Sequence, residues 1–355
     1  MKVLRWTILM LVVMVVARAL GLVWGEGADW LVYQRAVSQF LAGGDLYKVV
    51  TGIPFNYPPS SILWFLAWRG LGWQAWWVAS LGSLGLALYW LVGRDWWWWF
   101  LVCCLLFPVK FTLGMGQVNL MILLGYVAVW RLYKLGRGGL VGLVLGLMIS
   151  IKVMPVLLIP WLILRRKWRA VLVAGMVVIA LNLMVDGMSG QALINDYRMV
   201  IGDLVGMRVV SYYNQSLPAL AYRWVPEMIA GVVGMGMSGL VLGVSYVVGS
   251  RDKAGLLGYV LVVVGVSMAP GIVWQHQLVW LIPAIVVAHN LIGGSKSLVV
   301  WWLGAVLGIG ANMPGLGGLF GLHGAVGGMM LWLLVLWLNL RADEYYMVRR
   351  NLGRS

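Results

Sequence analysis

Residues 138–169 read GGLVGLVLGLMISIKVMPVLLIPWLILRRKWR. Two apolar runs, 138–151 and 153–164, flank Lys152, and the second carries Pro155 near its start. Arg165, Arg166, Lys167 and Arg169 close the stretch. A helix needs about 20 apolar residues to cross a bilayer. These runs are shorter, each about 20 Å at 1.5 Å per residue. The stretch therefore reads as two short membrane helices, or one element bent at Lys152 and Pro155, ending in a basic turn. A lysine inside such a run is either snorkelling to a membrane edge or placed for function.

Outward from this stretch, the whole chain repeats the pattern. Of 355 residues, 62% are hydrophobic and 10% charged. A soluble domain runs near 45–50% apolar and about 25% charged. That composition excludes a soluble enzyme and a disordered chain. Apolar blocks recur from end to end, which also excludes soluble halves on a single anchor. The formal charge of +15 would suggest nucleic acid in a soluble protein. Here the basic residues form short clusters between apolar blocks, so no nucleic-acid partner is expected. Cys103 and Cys104 are adjacent inside an apolar block and read as packing residues. The N-terminus resembles a signal peptide, but Arg18 follows the apolar run and no small-x-small site is clear, so an uncleaved first span is expected.

Twelve spans are predicted, near 5–24, 72–93, 96–113, 117–133, 138–151, 153–164, 168–186, 226–249, 255–272, 276–292, 297–312 and 319–340. With the N-terminus inside, the cytoplasmic turns carry Arg94; Arg131, Lys134 and Arg137; the 165–169 cluster; Arg251 and Lys253; and Lys296, with Arg341, Arg349, Arg350 and Arg354 in the tail. The positive-inside rule thus fixes both termini in the cytoplasm. Two long loops, 25–71 and 187–225, fall outside. The first holds DWLVYQRAVSQF (29–40), with Trp30, Val37 and Phe40 on one side, ended by Gly43-Gly44. Pro58-Pro59 opens a second short helix, SSILWFLAWRG (60–70), suited to lie along the membrane surface. The 23 tryptophans crowd span ends, as an interfacial belt does.

Polar residues at membrane edges are the informative minority. Arg18, Asp29, Tyr33, Asn56-Tyr57, Lys110, Gln117, Asn119, Lys152, Asn214-Gln215-Ser216, Trp274, His276 and Gln277 all fall at or near the outer face of this topology. The topology rests on the basic turns, not on these residues, so their convergence predicts one polar cavity opening outward. Asp29 reads as a helix N-cap or as a base at the membrane edge. Lys152 reads as a snorkelling residue or a phosphate contact. His276 reads as structural or as a ligand contact. Gln117 and Asn119, in GMGQVN, read as a helix start or as amide contacts to hydroxyls. Arg18 inside the first span costs about 2.5–3.5 kcal/mol, so a cavity or a lipid phosphate is expected beside it. There is no GxxxxGK[ST], HExxH, CxxC or Asp-x-Asp motif, and His276, His289 and His323 are isolated. The short cytoplasmic turns leave no room for a nucleotide-sugar site.

The order of these motifs resembles glycosyltransferase family 87, the polyprenyl-phosphate-sugar-dependent mannosyl- and arabinosyltransferases of GT-C fold. The resemblance covers about residues 15–290. It rests on Asp29 and Tyr33 in GADWLVYQRA, Gly44-Asp45-Leu46-Tyr47 ahead of Tyr57-Pro58-Pro59, and Gly116-Gln117-Val118-Asn119. It continues with GLMISIKVMP (146–155) closed by RRKWRA, Asn214-Gln215-Ser216, and Trp274 with His276 in APGIVWQHQ. The family often shows two adjacent histidines after the tryptophan; the second position here is Gln277.

The resemblance implies an all-α polytopic membrane protein, a single GT-C transmembrane domain over 1–355 in the plasma membrane, with its active site on the extracytoplasmic side. It implies an inverting transfer of a sugar, mannose first, from a polyprenyl phosphate to a glycolipid or glycan hydroxyl. Asp29 would be the general base. Lys152, His276, Arg208 and Arg18 would bind the donor phosphate. Tyr33, Tyr57, Gln117, Asn119, Asn214, Gln215 and Trp274 would line the sugar and acceptor sites. No metal and no cofactor are expected. The alternatives are an arabinofuranosyltransferase of the same family, a lipid-linked-sugar flippase or transporter, and a scaffold for envelope assembly. Transporter sites lie near the bilayer midplane between repeated halves. These polar residues gather at one face, and no repeat is visible. A related oligosaccharide ligase or protein O-mannosyltransferase would need more room for its acceptor than these loops provide.

Overall fold

The computed structural model describes residues 27–48, 53–206, 209, 211–251, 255–293, 295–312 and 322–341. These are helical almost throughout, with no strand among them beyond an isolated bridge between Asn214 and Trp274. The expected first span, 5–24, lies outside the described residues. Two compact units divide the chain: Met1–Val156 with Lys167–Arg208, and Leu157–Arg166 with Val209–Ser355.

The first unit opens with the two short helices expected in the first long loop, Ala28–Leu41 (α1) and Ser61–Arg69 (α2). α1 buries Trp30, Tyr33, Val37 and Phe40 on one stripe, the spacing of an amphipathic helix. Next come Gly72–Val92 (α3), Trp96–Leu105 (α4), Phe107–Met115 (α5), Asn119–Lys134 (α6) and Gly138–Ile151 (α7). Ile159–Leu164 (α8) belongs to the second unit, and Trp168–Ser189 (α9) and Leu193–Gly206 (α10) return to the first. α3 and α4 fold back on one another at Gly93–Asp95, so that Gly85 faces the Trp96 and Phe100 rings. α7 packs on α9 through small residues. A Cβ at Gly142 would collide with the Ala170 carbonyl oxygen, and one at Gly146 would lie 2.7 Å from Val177 Cβ. Close backbone approach of this kind holds apolar helices together where lipid supplies no hydrophobic drive.

The second unit adds Leu217–Trp224 (α11), Glu227–Gly249 (α12), Gly255–Met268 (α13), Ile282–Leu291 (α14), Lys296–Gly310 (α15) and His323–Leu340 (α16). α13 is apolar on every side and buried from Leu257 to Met268, which makes it the core of the unit. Buried indoles find acceptors around it: Trp332 Nε1 donates to Ser245 Oγ at 2.8 Å and Trp161 Nε1 to the Gly249 carbonyl at 3.0 Å.

Among the described residues, four helical runs are long and apolar enough to cross a membrane: Gly72–Leu105, the run of α3 and α4 that turns back at Gly93–Asp95, and Trp168–Ser189, Glu227–Gly249 and His323–Leu340. A fifth is added if α5 and α6, bent by 119° at their junction, count as one. The two short helices expected at 138–151 and 153–164 are α7 and Met154–Leu164, while the spans predicted at 255–272 and 297–312 are the shorter helices α13 and α15. The physical reason is that apolar composition extends past the helix ends, into breaks at Leu106, Gly116–Val118, Lys152 and Gly271–Trp274. Composition alone does not locate these breaks.

Candidate active site

The first unit brings Asp29, Tyr33, Tyr57, Gln117, Asn119 and Lys152 into one polar cluster. α1 supplies Asp29 and Tyr33. Gly27 is the residue before α1 and caps it, and Asp29 makes no capping hydrogen bond. That leaves the carboxylate free for a role other than the cap. Tyr33 is fully buried, stacked on Phe65 at 4.0 Å and edge-on to Tyr57 at 5.2 Å.

The junction of α5 and α6 supplies the amides. Gly116 takes a left-handed conformation, φ +74°, and caps α5. A Cβ there would meet Trp73 at 2.6 Å and Trp30 Cβ at 2.8 Å, so glycine is required by conformation and by space. The chain turns through 119° over Gly116–Val118. This turn leaves Gln117 outside both helices and Asn119 at the first position of α6. Both are buried. Gln117 Oε1 accepts from the Tyr57 hydroxyl at 3.0 Å and from the Tyr33 hydroxyl at 3.3 Å, and the two phenols lie 2.8 Å apart. With its oxygen filled, the Gln117 side chain hydrogen-bonds Asp29 through its nitrogen. Asp29 Oδ2 is buried and makes no hydrogen bond among the described residues.

Lys152 follows α7 in extended backbone, φ −147° and ψ 126°, where the helix stops ahead of Pro155. Its ammonium donates to Asn119 Oδ1 at 3.0 Å and lies 5.8 Å from the centre of the Tyr57 ring. Burial pushes the Asp29 carboxyl above its ordinary value, against the pull of the Gln117 hydrogen bond and the Lys152 charge. The cluster thus presents a carboxylate oxygen open to a proton donor, within electrostatic range of a fixed ammonium.

The other expected site residues fall elsewhere. Asn214, Gln215, Trp274 and His276 are in the second unit. The loop at Asn214 and the loop at Trp274 pair directly: the Gln215 amide donates to the Val273 carbonyl at 2.7 Å and the Gln275 amide to the Tyr213 carbonyl at 3.0 Å. Asn214 clamps them. Its Oδ1 accepts from the Val273 and Ser216 amides, and its Nδ2 donates to the Val209 and Gly271 carbonyls. All four of its hydrogen-bonding positions are filled by backbone, so it holds the loop rather than offering a group to a sugar. Gln215 is likewise buried and bonded to the Tyr212 carbonyl and the Ala325 amide. Gln277, at the position of the family's second histidine, accepts from the Trp274 amide at 2.8 Å and fixes the turn that carries buried His276. Lys110 is exposed on α5. Arg18 lies outside the described residues, as does Arg208.

Two features were not visible in the sequence. His323, isolated along the chain, donates or accepts at Tyr212 Oη (3.1 Å) and lies 3.4 Å from Gln275 Nε2. In the first unit, the Tyr47 hydroxyl donates to the Tyr57 carbonyl at 3.0 Å and so braces the site from outside. The GDLY motif around Tyr47 was the one available signal for it.

Comparison with curated proteins gives no match. The model of glycosyltransferase family 87 matches residues 55–270, more than half of the chain. The matched stretch includes Tyr57, Gln117, Asn119, Lys152, Asn214 and Gln215; Asp29 and Tyr33 lie more than 20 residues ahead of it, and Trp274 and His276 a few residues past its end. A helical membrane protein with this match belongs to glycosyltransferase family 87.

Proposed function

We propose that the protein is an inverting transferase of GT-C fold that moves a sugar, mannose first, from a polyprenyl phosphate to a hydroxyl of a glycolipid or glycan. The reading places it in the plasma membrane with about twelve crossings and the Asp29 cluster facing outward. The observation that carries it is a carboxylate oxygen of Asp29 without a hydrogen bond among the described residues, in the same polar cluster in which Asn119 holds the Lys152 ammonium. Family membership supports it, and so does the positive-inside pattern.

Asp29 takes the acceptor proton as the oxygen attacks the anomeric carbon. The bond from that carbon to the phosphate oxygen breaks on the opposite side, and the configuration inverts. The electron pair leaves on the phosphate, which departs as a polyprenyl phosphomonoester. This leaving group is already a stable anion and needs a cation rather than a general acid. Lys152 fills that role, with Arg18 and Arg208 as further phosphate contacts. Tyr33, Tyr57, Gln117 and Asn119 orient the reacting sugars and the two charged groups. The mechanism asks for no metal.

The test is a donor panel. Purified protein in nanodiscs receives polyprenyl phosphates carrying labelled mannose, arabinofuranose or glucose, with a membrane lipid extract and with or without EDTA. Label is expected on a lipid or glycan product from the mannosyl donor, in both EDTA arms, with inverted anomeric configuration. Transfer from the arabinofuranosyl donor alone replaces the sugar and keeps the mechanism. No transfer from any donor sinks the reading and leaves the flippase alternative.

A further inference from the structure

In the second unit, α15 and α16 pack antiparallel, and the contact between them changes along its length. At one end the backbones touch. A Cβ at Gly308 would lie 2.7 Å from the His323 carbonyl oxygen and 2.9 Å from Gly327 Cα, and one at Gly304 would lie 2.7 Å from Met330 Cε. Next, the Trp301 indole donates to the Met330 carbonyl at 2.7 Å. Beyond this bond the two helices line a cleft of about 470 Å³, between Ser297, Leu298 and Trp301 of α15 and Leu333, Trp337 and Leu340 of α16. Its volume is in the range of ligand clefts, about 300–1,000 Å³. Trp301, Leu333 and Leu340 are 40–57% exposed, so the cleft is open from the side. Its wall is aliphatic and indole, apart from the Ser297 hydroxyl near one end.

That end carries two cations. Arg341 follows Leu340, and its guanidinium carbon lies 4.9 Å from the centre of the Trp337 ring, which is part of the wall. A guanidinium stacked on an indole is held in place, with its N–H fork at the edge, the geometry that takes two phosphate oxygens. Lys296 is exposed at the first position of α15, next to Ser297. An apolar cleft with cations at one end is the complement of a long hydrocarbon chain with an anionic head. Lipid tails cover any apolar surface in a bilayer; here depth and charge coincide, which selects one lipid by its head group. In the proposed orientation Lys296 and Arg341 are cytoplasmic, and the cytoplasmic leaflet carries anionic lipids that basic pockets between helices bind.

We infer that the cleft between α15 and α16 is a binding site for one anionic phospholipid, its chain along the indole and leucine wall and its phosphate at Lys296 and Arg341. Only the choice of leaflet rests on the proposed orientation, and the test below uses neither that orientation nor the transferase reading. The purified full chain in detergent is titrated with phosphatidylglycerol or phosphatidylcholine of the same chains, and bound lipid is read by native mass spectrometry. Phosphatidylglycerol is expected to bind wild type about thirtyfold more tightly than phosphatidylcholine, about fivefold for each of the two cations. Lys296→Gln with Arg341→Gln should remove that preference and leave phosphatidylcholine unchanged. Leu333→Trp tests the wall separately: by displacing about two methylenes of the chain it should weaken both lipids about tenfold. Lys134→Gln with Arg137→Gln, an exposed basic pair in the first unit, should change neither. Equal binding of the two lipids by wild type overturns the inference. So does an equal loss in the Lys134 and Arg137 variant, which would mean diffuse attraction to basic turns. A full chain with Tyr345→Ser and Tyr346→Ser that binds phosphatidylglycerol more tightly would assign the cleft to the chain after Arg341 and overturn it. Displacement of phosphatidylglycerol by a polyprenyl phosphate at a tenth of its concentration would assign the cleft to that lipid instead.

Discussion

At the residue scale, the candidate site is a matter of which polar groups are already satisfied. Gln117 has both phenols on its oxygen and so turns its nitrogen to Asp29. Asp29 keeps one oxygen open, and Lys152 is fixed by Asn119. A base is active as its carboxylate. With the Asp29 pKa raised by burial above its ordinary 3.8, activity is lost as pH falls through that raised value, earlier than for a free aspartate. Lys152→Gln removes a charge that holds the carboxyl down. The variant is therefore expected to move the acid limb of the kcat profile to higher pH. It should also lower kcat by about 10²-fold, the effect of losing one preorganised group that stabilises the transition state. A limb that stays in place or moves to lower pH would show that Lys152 does not face Asp29. Asp29 and Lys152 were legible in the sequence because a charge amid apolar residues stands out. Asn214 stood out equally, yet its amide is filled by backbone from Val209, Gly271 and Val273, and a contact across 57 or 59 residues leaves no local mark.

At the scale of the element, the site depends on where helices stop. α5 ends at Gly116 and α7 at Lys152, and the polar side chains occupy those breaks. GMGQVN and IKVMP announced both breaks through glycine and proline chemistry. The angle of 119° was not readable, because it is set by Trp30 and Trp73 packing against Gly116. Gly136 provides a control: its φ is +70°, but an added Cβ would meet nothing within 4 Å. Gly136→Ala is expected to cost about 1 kcal/mol from backbone conformation alone. Gly116→Ala should cost about 2–4 kcal/mol, adding the overpacking of Trp73 and Trp30, and should reduce transfer with it. The thermal unfolding of the two variants side by side measures this; equal losses would mean that the tryptophans do not confine the turn.

At the scale of the molecule, the sequence made a helical membrane protein plain and left the number of crossings open. α7 and α13 are each 14 residues long and bury much of their surface against other helices, and an apolar helix buried in protein has the same composition as one facing lipid. Orientation was read from the basic turns and belongs to the proposal. It predicts that, with Cys103 and Cys104 replaced by alanine, a cysteine at exposed Ser38 reacts with an impermeant maleimide on intact cells. A cysteine at exposed Lys134 should react only after permeabilisation. The reverse pattern would turn the Asp29 cluster to the cytoplasm, where nucleotide donors are available, and would remove the case for a lipid-linked one.

The most direct measurement of the central claim is transfer by Asp29→Asn beside wild type. Both are held in nanodiscs with radiolabelled polyprenyl-phosphate mannose and the lipid extract. Asparagine keeps the size of the side chain and its contact to Gln117 but cannot take a proton. The account predicts equal folding and donor binding, with transfer lowered by at least about 10²-fold, within the range of general base catalysis. Transfer by Asp29→Asn at the wild-type rate would contradict it and leave Asp29 as a polar residue in the first turn of α1.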